Sequence, residues 1–152
     1  MARVTTMGLT LAVLLGGCLS QADGQRLAAA HAQFFSQWQA GQYGAIYDGA
    51  APELTGALTR AAFIATMQHV DQAMGACQPP AKQLSYHFVA NPKGYFASQS
   101  WRSACAKGQL DETVAVVVRN GAAQLAGFSL ESPQLPGFSP IGFYERPSTD
   151  ND

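Results

Sequence analysis

At Lys82 the apolar pattern of this chain changes period, and that switch limits the folds open to it. Before Lys82 apolar residues recur at helical spacing; after it they alternate. Leu27, His31, Phe34, Phe35 and Trp38 share one face of a helix expected over 25–39, with Asp23 as N-cap and Gly41 as its stop. A face with three aromatic rings has to be buried against something large. A short second helix is expected over 42–50, with Tyr43, Ile46 and Tyr47 on one side and Gly49 and Pro52 ending it. Thr59 caps a third over 60–74, whose inner face is Phe63, Met67, Val70 and Met74; Gly75 and Pro79-Pro80 stop it.

Beyond the switch, Leu84, Tyr86 and Phe88 alternate with Ser85 and His87. Asn91-Pro92-Lys93-Gly94 is a turn. A second strand is expected over 95–106, with Tyr95, Ala97, Gln99, Trp101, Ser103 and Cys105 on one face. A third, over 110–119, sends Leu110, Val114, Val116 and Val118 one way, with Glu112 interrupting that face. Asn120-Gly121 is a strong two-residue hairpin signal, and a fourth strand follows over 122–130, where Gly127 breaks the alternation and implies a bulge. Helices first and an antiparallel meander after make an α+β chain: N-terminal helices packed on a curved four-stranded antiparallel sheet. Residues 131–152 hold Pro133, Pro136, Pro140 and Pro147, half of the eight prolines, and read as an extended, mostly disordered tail. Phe138, Ile141, Phe143 and Tyr144 are its apolar exception, suited to docking on the domain or to a short partner-binding segment.

Ahead of the first helix lie Arg3, an apolar run from Met7 to Leu15, and Leu15-Gly16-Gly17-Cys18. The layout is that of a secretory signal, and its close resembles the lipobox of bacterial lipoproteins. That resemblance implies a signal peptide over 1–17, a lipid on Cys18, and a polar tether over 18–24. An uncleaved anchor is disfavoured because residues 4–19 fall short of the ~20 apolar residues a spanning helix needs. Acyl chains contribute about 0.8 kcal/mol per buried CH₂, so several on one residue hold a domain at a membrane. Leu19 and Ser20 follow the cysteine, with no Asp there to favour the inner membrane. The expected place is therefore the cell envelope: the outer membrane facing the periplasm, for a Gram-negative host.

The remaining cysteines, Cys77 and Cys105, form an even pair in an exported chain, for which a disulfide is the default. It would close a loop of about 29 residues and stabilise by roughly 3.5 kcal/mol. Charged residues are 12% of the chain and its net charge is −1, with no run of one sign, which argues against nucleic acid as a partner. The three histidines are isolated, and no phosphate-binding loop, metal-binding motif or nucleophile elbow appears, so neither metal nor cofactor is expected.

The order of elements, with Phe34-Phe35-x-x-Trp38-x-x-Gly41-x-Tyr43-x-x-Ile46-Tyr47 and the closing Gln124-Leu125-Ala126-Gly127-Phe128, resembles the nuclear-transport-factor-two-like, or cystatin-like, superfamily over 25–130. There a long helix lies in the curve of a bent sheet, and enzymes of that resemblance place acids, Tyr and His inside the resulting cone. The candidates here are Tyr43, Tyr47, Asp48, His87, Trp101 and Glu112. Glu112 sits either in an apolar cavity, where a carboxyl serves as general acid or base, or at the wet rim beside Asp111. His31 reads as a core histidine bonded to a Tyr, and His69 as solvated. The expected function is a non-catalytic lipoprotein that binds an envelope protein or a small apolar ligand, using Tyr43, Tyr47, His87, Trp101 and Glu112. The alternative is a small hydrolase or isomerase with a cone-shaped pocket, which requires Glu112 and His87 to converge in an open cavity. Binding would use the sheet and the cone mouth rather than the helices, at Ser98, Ser100, Arg102, Thr113 and Arg119 on the strands, with Tyr43, Tyr47 and Trp101 as apolar anchors at the mouth.

Overall fold

The computed structural model describes residues 21–138 and 141–142. Four helices come first: α1 (Gln21–Gln39), α2 (Tyr43–Asp48), α3 (Pro52–Thr55) and α4 (Arg60–Met74). An open antiparallel sheet follows: β1 (Lys82–Asn91), β2 (Gly94–Cys105), β3 (Gly108–Arg119), β4 (Ala122–Glu131) and a two-residue β5 (Ile141–Gly142). Every strand pairs with its sequence neighbour, in the order β1-β2-β3-β4-β5. The chain is thus α+β, with α1 packed on one face of a meander and the start of α3 reaching Phe96 and Val117 on the other. Among the described residues no helix is long and apolar enough to cross a membrane.

The expected aromatic face of α1 is buried. Leu27, Phe34, Phe35 and Trp38 are each at most 6% exposed and lie over β3 and β4. Phe34 and Phe63, from α1 and α4, both meet Phe128 of β4, at centroid distances of 5.9 and 5.8 Å. The helix begins at Gln21, earlier than the tether expected up to residue 24, and Asp23 is not its N-cap. It lies in the first turn, where a carboxylate suits the positive end of the helix dipole, and bonds Arg26 one turn on at 2.7 Å. Thr59 does cap α4, accepting from the Ala62 N–H at 3.2 Å. Pro52, expected only to end a helix, also opens α3 at a position where its missing N–H costs nothing.

Two bulges set the facing of the sheet. In β4 the register passes from Ala115↔Gly127 to Val116↔Leu125, so Ala126 is an extra residue beside the glycine that signalled it. Three apart in a regular strand, Leu125 and Phe128 would face opposite sides; the bulge takes up the extra residue and both join the core. In β1 the register shifts between Gln83 and Ser85, leaving Leu84 extra. The β3–β4 hairpin turns on Asn120 and Gly121, both at positive φ (50° and 77°), as a type I′ turn requires.

Cys77 and Cys105 are joined by a disulfide. The bond is flanked by Gln78 N–H to Ala104 O (2.8 Å) and Ala106 N–H to Ala76 O (2.9 Å), so the stretch leaving α4 is fastened to the end of β2. Part of the stretch expected as a disordered tail is ordered, because its apolar residues find a surface. Leu135 is buried, Phe138 and Ile141 pack on the core, and Ile141–Gly142 pair with Phe128 and Gly127. Gly142 has φ +81°, and a Cβ there would collide with the Ala126 carbonyl at the β4 bulge. Phe143 and Tyr144 lie outside the described residues, as do residues 1–17 and Cys18, the residue expected to carry a lipid.

Candidate functional site

Three places in the fold concentrate chemistry. The first is buried between α1, β2 and β3. Trp101 and Glu112 are cross-strand partners, and Ser103 faces Leu110 on the same side. His31 of α1 stacks on Trp101 at 5.1 Å, and its Nε2 stands 3.7 Å from Glu112 Oε1. Glu112 is 0% exposed, so it is not at a wet rim. The bulk of α1 and the neighbours Leu110, Val114 and Leu130 exclude water from it. His31 contacts a carboxylate and an indole rather than a Tyr. Among the described residues, the buried side-chain atoms lacking a hydrogen bond are His31 Nε2, Trp101 Nε1, Ser103 Oγ and both Glu112 oxygens. All belong to this one cluster, which is sealed rather than open to a substrate.

The second place centres on Asp71, which the sequence did not single out. It sits on α4, beside the buried face rather than on it. Its Oδ1 accepts from Trp38 Nε1 at 2.7 Å, and its Oδ2 accepts from the Tyr43 hydroxyl. Burial and that bond to a carboxylate push the Tyr43 phenol up to about 12, so the hydroxyl stays a donor at ordinary pH. A cavity of about 250 Å³ opens beside them, walled by Phe35, Trp38, Gln39, Asp71 and Gly75 to Cys77.

The third is the edge strand β1. Leu84, Tyr86 and Val89 are 38–42% exposed, and Tyr95 on β2 is 48% exposed and stacked on Phe88 at 5.9 Å. They stay uncovered because α1 lies over β3 and β4. Of the ten β1 residues only Lys82 carries a full charge.

The remaining candidates do not converge. Tyr47 packs on Phe63 and donates to the Leu58 carbonyl at 2.9 Å, as part of the helical wall. Asp48 pairs with Arg60 at 2.8 Å on the surface. His87 is exposed on β1 opposite Ser98, and by strand alternation it lies on the other side of the sheet from Glu112. His69 is exposed, beside a groove of about 460 Å³ between α4 and the described part of the tail. On the back of the sheet, Ser100 bonds Thr113 (2.8 Å) and Arg102 holds Asp111 through two 2.6 Å bonds. Arg119 is paired with Glu53, so most of the polar groups expected to receive a partner already satisfy one another. Among the described residues no group of His, Cys, Asp and Glu is arranged to hold a metal ion.

No protein-family model, curated protein or solved structure matches this chain.

Proposed function

We propose that this chain is a cell-envelope lipoprotein, tied to the membrane through lipid on Cys18, whose domain is a non-catalytic binding module. Its domain is of the cystatin-like or nuclear-transport-factor-two-like kind, and its occupant is an extended segment of an envelope protein, added as a strand to β1. One observation carries the reading. Among the described residues, β1 is an edge strand whose outer backbone groups have no strand partner, with apolar side chains exposed on both faces. Sheet edges in isolated domains are ordinarily blunted by charge, proline or cover. Here Lys82 and the Leu84 bulge guard one end, while Ser85 to Ala90 carry neither full charge nor proline. An added strand would take its affinity from main-chain bonds and its specificity from contacts with Tyr86, Phe88 and Val89. The hydrolase or isomerase alternative lacks support, because Glu112 is sealed and His87 faces away from it.

The test is site-specific photocrosslinking in the native envelope. A crosslinker at Tyr86 should capture one partner, whereas one at Gln68, exposed on α4, should not. Val89→Lys should abolish the Tyr86 product while the domain stays folded. Equal capture at both positions, or none at Tyr86, overturns the edge-strand reading; a product of twice the chain mass would identify a second copy as occupant instead. Incorporation of labelled palmitate should be lost in Cys18→Ser, and its persistence would sink the anchor.

A further inference from the structure

The acidic side chains of this domain are distributed unevenly with respect to positive charge. Asp23 pairs with Arg26, Asp48 with Arg60, Glu53 with Arg119 and Asp111 with Arg102, while Glu112 has His31 at 3.7 Å. Among the described residues, only the exposed Glu131 and the half-buried Asp71 are left without a basic partner. Asp71 is the one held in place: an indole N–H fixes one oxygen and a phenol the other, so the carboxylate cannot swing out to water. Each carboxylate oxygen has two acceptor sites, so both retain capacity after these bonds. The 250 Å³ cavity beside Asp71 adds the rings of Phe35 and Trp38 to its wall. A fixed carboxylate beside aromatic rings favours a ligand that carries a positive charge for the carboxylate and a carbon-bearing part to pack on the rings. An anion would meet repulsion there, and a neutral apolar molecule would leave the carboxylate without a counter-charge.

We propose that the Asp71 cleft is a binding site for a small organic ammonium ion. Asp71 supplies the counter-charge and the fixed acceptors. Phe35 and Trp38 cover the carbon-bearing part of the ligand. Tyr43 is a positioning residue: its hydroxyl holds the carboxylate in the cleft wall. The disulfide at Cys77 fastens the far side of the cleft, so the site is built before a ligand arrives.

Choline and its uncharged carbon analogue 3,3-dimethylbutan-1-ol make the test, because they match in shape and differ in charge. Binding to the full chain is read from the fluorescence of Trp38 in a Trp101→Phe background. Choline should give a saturable change, and the alcohol should bind at least tenfold more weakly. Asp71→Asn keeps an oxygen for one of the two donors and should reduce the preference for choline to within twofold. Ala76→Trp, at an exposed rim position, should block both ligands without unfolding the domain. Should Asp71→Asn fail to fold, the choline-to-alcohol ratio on the unaltered Asp71 decides alone. Equal binding of the two molecules, or no saturable change up to 100 mM choline, overturns the proposal. Binding to Ala76→Trp as strong as to the parent overturns its location. Loss of crosslinking at Tyr86 would leave this site standing, since the two rest on different residues.

Discussion

Glu112 and His31 offer the sharpest test of the packing. Glu112 lies between Leu110 and Val114 on β3, opposite Leu130, and is wholly inaccessible. Neither of its oxygens has a hydrogen bond, and His31 Nε2 stands 3.7 Å from one of them. Removing one member of a buried pair leaves the other desolvated and uncompensated, at a cost of about 3–5 kcal/mol; exchanging the pair for apolar residues of like size is neutral or stabilising by about 1–4 kcal/mol. His31→Leu alone should therefore destabilise by about 3 kcal/mol or more. Glu112→Leu alone should cost less, under about 2 kcal/mol, since it discards two buried oxygens that form no bond and the His31 ring left behind is 11% exposed whereas Glu112 is wholly inaccessible. The double variant should resemble Glu112→Leu, which makes the coupling energy about 3 kcal/mol. Guanidinium unfolding followed by tryptophan fluorescence reads all four corners of the cycle, because Trp38 and Trp101 both sit in folded surroundings. Equal losses for His31→Leu in both backgrounds, or a loss above ~2 kcal/mol for Glu112→Leu, would refute the reasoning and show the cluster to be held by bonds that its geometry does not contain.

Replacing Cys77 and Cys105 together by Ala should lower stability by roughly 3.5 kcal/mol, seen as a lower thermal midpoint, and an unchanged midpoint would mean that α4 is held to β2 without the bond. Arg119 and Arg102 hold the Glu53 and Asp111 carboxyls below their ordinary values of 4.5 and 3.8, so stability from these pairs is complete above those values and is lost as pH falls through the lowered ones. Acid titration of the unfolding midpoint should thus show a decline setting in below about pH 4.5, reduced in Glu53→Gln/Asp111→Asn. Gly142→Ala should detach β5 and cost about 1–3 kcal/mol, with amide exchange rising at Gly127 and Phe128 but not at β2.

The sequence carried the elements that repeat a local rule. Phe34, Phe35 and Trp38 keep helical spacing, Asn120-Gly121 names its own turn, and Gly127 betrays the adjacent bulge. What it did not carry depends on which element covers which. The alternation of Leu84, Tyr86 and Phe88 is that of any half-buried strand; only the placement of α1 over β3 and β4 leaves β1 bare. Asp71 looks like an ordinary polar residue of α4, because its partners Trp38 and Tyr43 come from distant turns of chain. Glu112 was readable as an interruption of an apolar face, but its depth depended on how far α1 reaches along β3.

The strictly sequential meander also sets the order in which the protein can come into being. The ring that receives the aromatic face of α1, Phe128, belongs to β4, the fourth of the five described strands, and the last described segment binds the same β4 bulge. As the chain is synthesised, its first helix is an oily surface waiting for a landing place that does not yet exist. A nascent chain stopped after β2 has lost nothing it could have kept, because no earlier half can close a core of its own. Folding as a single event at completion would suit the proposed export, in which the polypeptide passes a membrane as an open thread before it takes its shape.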